Sequence, residues 1–213
     1  MQTISSIPAA AAPTALPALP GAVEALGRET LRAQFETNLF GWHPLTRRLI
    51  PVMREQGEGR IIQNSSVLGL VVLPFRGAYN ASKFALEGLT DTLRLELAGT
   101  NIRVSLIEPG PIRRKFRDNA HAAFIKHIDA ENSVYHEHYA AMQARLQKEG
   151  DGMPFTLPPE SVLKRVIHAL ESNRPQVRYY VTFPTYLLGT LRRLLPYAWL
   201  DRLLLRVSGG GSR

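Results

Sequence analysis

An α/β fold, a parallel sheet covered by helices, is the architecture the sequence predicts. Three observations carry it. Stretches of helical period alternate with short apolar runs of strand length, in the order helix, strand, helix, strand, helix, strand. Turn-forming residues punctuate the junctions: Gly57-Glu58-Gly59, Gly99, Pro109-Gly110 and Pro158-Pro159. A length of 213 residues, 45% hydrophobic and 21% charged, suits one domain with a substantial core.

The elements follow in order. Residues 1–20 are rich in Ala and Pro and contain no glycine, Lys or Arg. A secretory signal needs a positive start and an unbroken apolar stretch, and Pro8, Pro13, Pro17 and Pro20 interrupt this one. The segment reads as a disordered tail, followed by a structured portion over 21–207 and a flexible end at 208–213. Thr30 to Glu55 is predicted as a long helix, with Leu31, Phe35, Leu39, Leu45, Leu49 and Val52 recurring on its apolar side. Pro44 and Pro51 should kink or split it. Arg60 to Ser66 reads as a strand. Ala78 to Ala98 reads as a helix with a stripe of Ala81, Phe84, Ala85, Leu89, Leu93 and Leu97, stopped near Gly99. Ile102 to Glu108 is a second strand, and Pro158-Pro159-Glu160 opens a helix through Leu170. Gln176 to Phe183 is a third strand, and Leu187 to Val207 a helix rich in Leu and Arg. No uninterrupted apolar run reaches the length of a membrane span.

Composition narrows the chemistry. The chain has no cysteine, which excludes disulfides, zinc-thiolate sites and a cysteine nucleophile, and fits a reducing, cytoplasmic setting. The formal charge is +8 and the pI about 10.1. The basic residues are spread along the chain, with small clusters at Arg113-Arg114-Lys115 and Arg192-Arg193. With no aromatic-interleaved basic stripe and no zinc-finger spacing, a nucleic-acid partner is not expected. No metal site is expected either.

Tyr79 and Lys83 stand four residues apart in a predicted helix, which puts them on one face. A tyrosine hydroxyl titrates near about 10, and a neighbouring ammonium favours the phenolate, so such a pair can exchange a proton with an alcohol or carbonyl. The alternative is an exposed lysine beside a half-buried tyrosine. Ser66 ends a predicted strand 13 residues earlier, at the edge of a parallel sheet where ligands bind. There it could hold a substrate oxygen, or simply cap a turn. Asn38 falls inside a predicted helix, close to Gly41. It is either a surface residue or an inward amide that holds a water linked to Lys83. Pro109-Gly110-Pro111 follows the second strand directly, as a rigid turn able to lie against a ring or as a plain loop.

Together these segments resemble the short-chain dehydrogenase/reductase family: NLFG at 38–41, NSS at 64–66, YNASK at 79–83 and EPGPI at 108–112, in that family's order and spacing. The resemblance is close over about 21–117 and looser beyond. It implies a partial Rossmann-like, doubly wound parallel sheet of about three strands. It implies Tyr79 as general acid/base, Ser66 orienting the substrate oxygen, Lys83 assisting Tyr79 and holding the nicotinamide ribose, and Asn38 completing a proton relay. Asn38, Tyr79, Lys83, Pro109, Gly110 and Ile112 would contact NAD or NADP. The implied reaction is reversible hydride transfer between that cofactor and a small-molecule alcohol or carbonyl. The helices at 30–55 and 78–98 would form a homo-oligomer contact.

Two departures matter. The family's Thr-Gly-x3-Gly-x-Gly turn, which cradles the pyrophosphate, has no counterpart here. The N-terminus reads as a truncation or replacement, leaving the strand at 60–66 with an open edge and cofactor binding in doubt. Arg114 also stands where the family often has Thr. With Lys115 and Arg113 it could meet a phosphate or be solvated. The competing function is therefore an inactive, truncated chain that acts at most as an association module. Residues 116–142 carry Phe116, Phe124, Ile125, Ile128, Tyr135, Tyr139 and Met142, as core or as the wall of an apolar substrate pocket. The segment from 187 to 207 either covers the sheet, makes an oligomer contact or lies on a membrane surface.

Overall fold

In a computed structural model of the chain, residues 20–113, 124–125, 128–147 and 154–208 are described. The Ala/Pro-rich tail up to residue 19, the Arg114-Lys115 pair, Phe116 and the end from 209 lie outside them. Three parallel strands form the sheet: β1 (Gly59–Asn64), β2 (Ile102–Glu108) and β3 (Arg178–Tyr180), in the order β1-β2-β3. Gly59 faces Ile102 and Asn64 faces Ile107, while Leu106 to Glu108 face Arg178 to Tyr180. Parallel neighbours need a long crossover. Helix α3 (Gly77–Glu96) makes the first, and α4 (His136–Gln147) and α5 (Glu160–Glu171) lie in the second.

The sheet is covered on both faces, as a parallel sheet requires. On one face Ile61, Ile102, Val104 and Leu97 pack with Ile50, Met53 and Leu93 from the neighbouring helices. On the other, Ile107, Tyr179 and Val181 pack with Ala169, Val162 and Val166 of α5. The fold class read from the sequence is thus the one observed.

The split expected in the first long helix is found, and two further element boundaries differ, each for a physical reason. The predicted helix at 30–55 is two helices, α1 (Arg28–Phe35) and α2 (His43–Gln56), separated by a π-helical turn at Glu36–Phe40. Pro44 sits in the first turn of α2, where its missing N–H is not needed, and Pro51 is carried inside. Gly57 closes α2 in the left-handed conformation, φ 79°. The predicted strand at 176–183 is shorter, because Phe183 already begins α6 (Phe183–Leu194). The predicted helix at 187–207 is also divided. Leu195 before Pro196 is extended at ψ 141°, and the chain restarts as α7 (Tyr197–Ser208).

The buried face of α3 is a correction of a different kind. The stripe expected to be buried includes Ala81 and Leu89, which are exposed. The buried side consists of Ala78, Asn80, Ser82, Lys83, Leu86, Glu87 and Thr90. A helix can bury so polar a face only where its charges find partners. Lys83 and Glu87 do, as described below. Helices α6 and α7 pack Leu188, Leu200 and Leu204 onto Val71, covering the segment after β1. Of the aromatic set at 116–142, Phe124, Ile128 and Tyr139 form a core cluster with Ala22, flanked by Phe75, Tyr135 and Met142. The Tyr139 hydroxyl accepts the Ala22 amide at 2.9 Å. Phe124, Ile128 and Tyr139 are core, and Ile125 is exposed.

Candidate active site

The candidate residues gather at the carboxyl edge of β1 and β2, where a parallel sheet presents its backbone ends to a ligand. Lys83 is 8% exposed, and its ammonium donates to the Asn64 carbonyl, at the end of β1, at 2.8 Å. The same nitrogen lies 5.6 Å from the centre of the Tyr79 ring, one helical turn back. Tyr79 itself is half-buried. One ammonium thus ties α3 to the end of β1 beside the tyrosine.

Ser66 lies two residues past β1. Its Oγ accepts the Leu68 amide at 3.2 Å, capping the short 3-10 turn at Val67–Gly69. The capping role expected of it is therefore real. A serine hydroxyl that accepts one hydrogen bond can still donate its own hydrogen, so the cap and a substrate contact are compatible. The Val67 amide donates to the Pro109 carbonyl at 2.8 Å, joining the loops after β1 and β2.

Asn38 sits in the π-helical turn, a local irregularity of the sort often found at functional sites. Its amide donates to the Ser82 hydroxyl at 2.9 Å, and Ser82 in turn donates to the Tyr79 carbonyl at 2.9 Å. The Asn38 carbonyl accepts the Trp42 indole at 3.1 Å. Asn38 thus reaches the Tyr79 backbone through Ser82, a residue the sequence reading had not singled out.

The turn after β2 is held from behind. A side-chain carbon on Gly110 would lie 2.1 Å from Thr182 Oγ1 and 2.9 Å from Thr185 Oγ1, so only glycine fits. Both threonines are fully buried and hydrogen-bond each other at 3.1 Å. Pro111 and Arg113 pair with Leu157 through backbone bonds of 3.1 and 2.8 Å, which fixes Ile112 beside them.

Behind these residues lies a charge cluster that sequence reasoning missed. Arg178 of β3 pairs with Glu87 on α3, with Glu108 at the end of β2, and with Asp91 at 2.5 Å. Glu108 is fully buried and Glu87 is buried. Burial, and then the charge of Glu87, push the Glu108 carboxyl up to about 8, against the pull of Arg178. Burial would lower the Arg178 pKa, but Glu87 and Glu108 outweigh it and raise it. The signal in the sequence was Glu87 standing four residues beyond Lys83, on the helix face of Tyr79 and Lys83, together with an acid that follows Leu106-Ile107 at the end of a strand.

A cavity of about 620 Å³ lies on the adjoining face of α3, walled by Leu73, Phe75, Gly77, Phe84 and Leu204. Ser66, Tyr79 and Lys83 are not in its lining. Phe75 is strained at φ 57° and held there by stacking on His138 at 4.2 Å and by the Gly21 amide at 2.9 Å.

An open parallel α/β sheet with hydroxyl, ammonium and amide groups at its carboxyl edge defines a ligand-binding fold of the doubly wound class. The short chain dehydrogenase family model matches residues 14–123, and the chain belongs to that family. It is 44% identical over 184 residues to an uncharacterized oxidoreductase of Escherichia coli, YbbO, covering 86% of this chain and 62% of the relative. It is 32% identical over 163 residues to human 17-beta-hydroxysteroid dehydrogenase type 1, covering 76% of this chain and 49% of that one. Its fold matches a Burkholderia phymatum short chain dehydrogenase/reductase in complex with NAD, with a TM-score of 0.62 at 25% identity, over 82% of this chain and 60% of that one. The chain therefore spans less than two thirds of each of these three proteins. Among the described residues, no helix is long and apolar enough to cross a membrane.

Proposed function

We propose that this chain carries the proton-transfer half of an NAD(P)-dependent oxidoreductase that interconverts an alcohol and a carbonyl. The observation that carries the reading is Lys83. It is a buried ammonium anchored to the end of β1 and set 5.6 Å from the Tyr79 ring. Tyr79 gives its phenolic proton to the carbonyl oxygen in reduction and takes it back in oxidation. Lys83 places positive charge beside that group. Ser66 donates its hydroxyl hydrogen to the same substrate oxygen. Asn38 holds the Tyr79 backbone through Ser82 and completes the proton path.

The donor set suits the nicotinamide end of a dinucleotide. Tyr79 and Lys83 offer hydroxyl and ammonium donors to a ribose. Pro109, Gly110 and Ile112 form a turn pinned by Thr182, Thr185 and Leu157, flat enough to meet a ring. The reduced dinucleotide, NADH or NADPH, would supply the hydride in reduction, and its oxidised form would accept it in oxidation. The sequence has no glycine-rich turn to cradle a pyrophosphate, so these residues account for one end of the nucleotide only.

The substrate is a small, largely apolar alcohol or carbonyl compound. The support is the similarity to a human enzyme named for a hydroxysteroid. A homo-oligomer is part of the same reading. Leu45, Leu49 and Val52 recur along α2 at helical spacing and are 39% to 50% exposed, and Leu89 and Leu95 on α3 are exposed as well. A cytoplasmic setting accords with the absence of cysteine.

The test is a titration of the purified chain with NADPH and NADH, followed by nucleotide fluorescence and then by turnover on hydroxysteroids. The expected result is saturable micromolar binding, weakened by Lys83→Met. Tyr79→Phe should retain binding but lose about 100- to 10,000-fold in turnover. A folded sample that binds neither nucleotide up to millimolar levels would instead identify the chain as an association module without redox activity.

A further inference from the structure

We propose that the outer face of α6 and the elbow between α6 and α7 form a docking surface for an anionic lipid bilayer. The two helices have two unlike sides. Their inner sides are committed: Thr185, Leu188 and Gly189 of α6 and Leu200 and Leu204 of α7 are buried. The outer side of α6 carries Phe183, Leu187 and Leu194, at positions i, i+4 and i+11, which align on one face of a helix. They are 57%, 42% and 72% exposed. Phe155 extends the stripe beyond Phe183, its ring 5.1 Å away. At the other end the stripe runs into the bend at Leu195-Pro196, where Tyr197 and Trp199 stand 76% and 64% exposed.

A soluble helix normally turns such residues inward. Four occupants could cover them: water, a second copy, another protein or a bilayer. Charge selects among these. Residues 183–208 contain Arg192, Arg193, Arg202 and Arg206 against the single acid Asp201, a net of 4 − 1 = +3. Asp201 is exposed beside Arg202, and the surface stays net positive with it counted. Trp199, Arg202 and Arg206 fall at i, i+3 and i+7, on the side of α7 opposite Leu200 and Leu204. A two-fold contact through this surface would set arginines against arginines, with Asp201 the single carboxylate of the two helices to pair them. A bilayer with anionic headgroups satisfies both parts of the pattern. The arginines meet phosphates, and Leu194, Tyr197 and Trp199 enter the headgroup layer, where aromatic side chains with a polar edge are favoured.

The residues of this surface take no part in the redox reading, so the inference stands or falls independently of it. The experiment is co-sedimentation of the full chain with vesicles of phosphatidylcholine alone, or of phosphatidylcholine with phosphatidylglycerol at about one part in three. Expected is saturable binding to the anionic vesicles, little to the neutral ones, and loss of binding as salt rises. Arg193→Gln with Arg202→Gln and Arg206→Gln should weaken binding about fivefold per arginine. Arg192 is left in place because it stacks over Phe84 at 5.0 Å. Leu194→Ser with Trp199→Ser should abolish binding with the fold retained, because both side chains are exposed. Tryptophan emission should shift to the blue on adding anionic vesicles, and Trp199→Phe should remove the shift. The proposal is overturned by equal binding of wild type and both variants. It is also overturned by no binding to any vesicle, or by a wild-type dimer in sedimentation that the Leu194→Ser/Trp199→Ser variant dissociates.

Discussion

Replacing Arg178 with alanine tests the energetics that hold the site together. The guanidinium serves three carboxylates, of which Glu108 is fully buried, Glu87 is buried, and the Asp91 side chain is 37% exposed. Water screens Asp91, so it adds little. Loss of Arg178 leaves Glu87 and Glu108 buried without their counter-ion, and breaking a buried pair from one side costs about 3–5 kcal/mol. That is a large part of the ~5–15 kcal/mol that holds a domain folded. The cost depends on pH through Glu108. Its carboxyl titrates at about 8 in the folded chain, well above the ordinary carboxylate range of about 4.3. The folded state therefore keeps a proton that the unfolded state releases. Stability from this group is full below about pH 4.3 and is lost as pH rises toward 8. Without Arg178, which pulls that value down, the proton is held more tightly still. Arg178→Ala should therefore cost less at pH 6, where Glu108 stays neutral, than at pH 9. Urea unfolding followed by circular dichroism at the two pH values measures this. A loss under about 1 kcal/mol at both, or a larger loss at pH 6, would refute the reasoning. Arg178→Met combined with Glu87→Gln and Glu108→Gln should recover most of the stability, since no buried charge then lacks a partner.

Gly110→Ala should destabilise the fold by about 1–3 kcal/mol, because its new carbon meets Thr182 Oγ1 at 2.1 Å, and Thr182→Ala in the same chain should recover part of the loss; thermal melts of the single and double variants decide it. Tyr139→Phe should cost about 1–3 kcal/mol in urea unfolding, because the buried Ala22 amide loses its 2.9 Å acceptor. Leu106→Ala, at 1% exposure in the centre of β2, should cost about 2–5 kcal/mol by the same assay.

The parts of this molecule legible in the sequence are those set by local rules. Ile102 to Glu108 reads as a strand because Ile102, Val104, Leu106 and Ile107 form a short apolar run and a Pro-Gly turn stops it, and the structure agrees to the residue. The Tyr79–Lys83 spacing placed both on one helix face, and they are found together. Boundaries failed where two local rules competed. Pro44 and Pro51 both argued for a break; the helix is split just before Pro44, which sits in the first turn of α2, whereas Pro51 is accommodated inside α2. The division at Leu195-Pro196 was written in the proline but hidden by the unbroken Leu and Arg pattern around it.

The larger error, on α3, concerns what counts as a core residue. Hydrophobic periodicity assigns the apolar stripe to the inside, which holds only when apolar burial is the main demand on the helix. Here one side of α3 must present Tyr79 and Lys83 to the edge of the sheet, and the next turn of that side meets Glu108 and Arg178. Those partners come from β2 and β3, distant in sequence, so no window along α3 could reveal them. Glu87 and Lys83 find partners across the fold and can therefore be buried, and Ala81 and Leu89 are left outside. The polar interior of α3 and its exposed apolar residues are thus two results of one constraint. A helix whose inner face is given over to polar groups has apolar surface left to present to other molecules. The same logic extends to α6, where Thr185 and Gly189 are turned inward beside the Gly110 turn and the segment after β1, while Phe183, Leu187 and Leu194 face out.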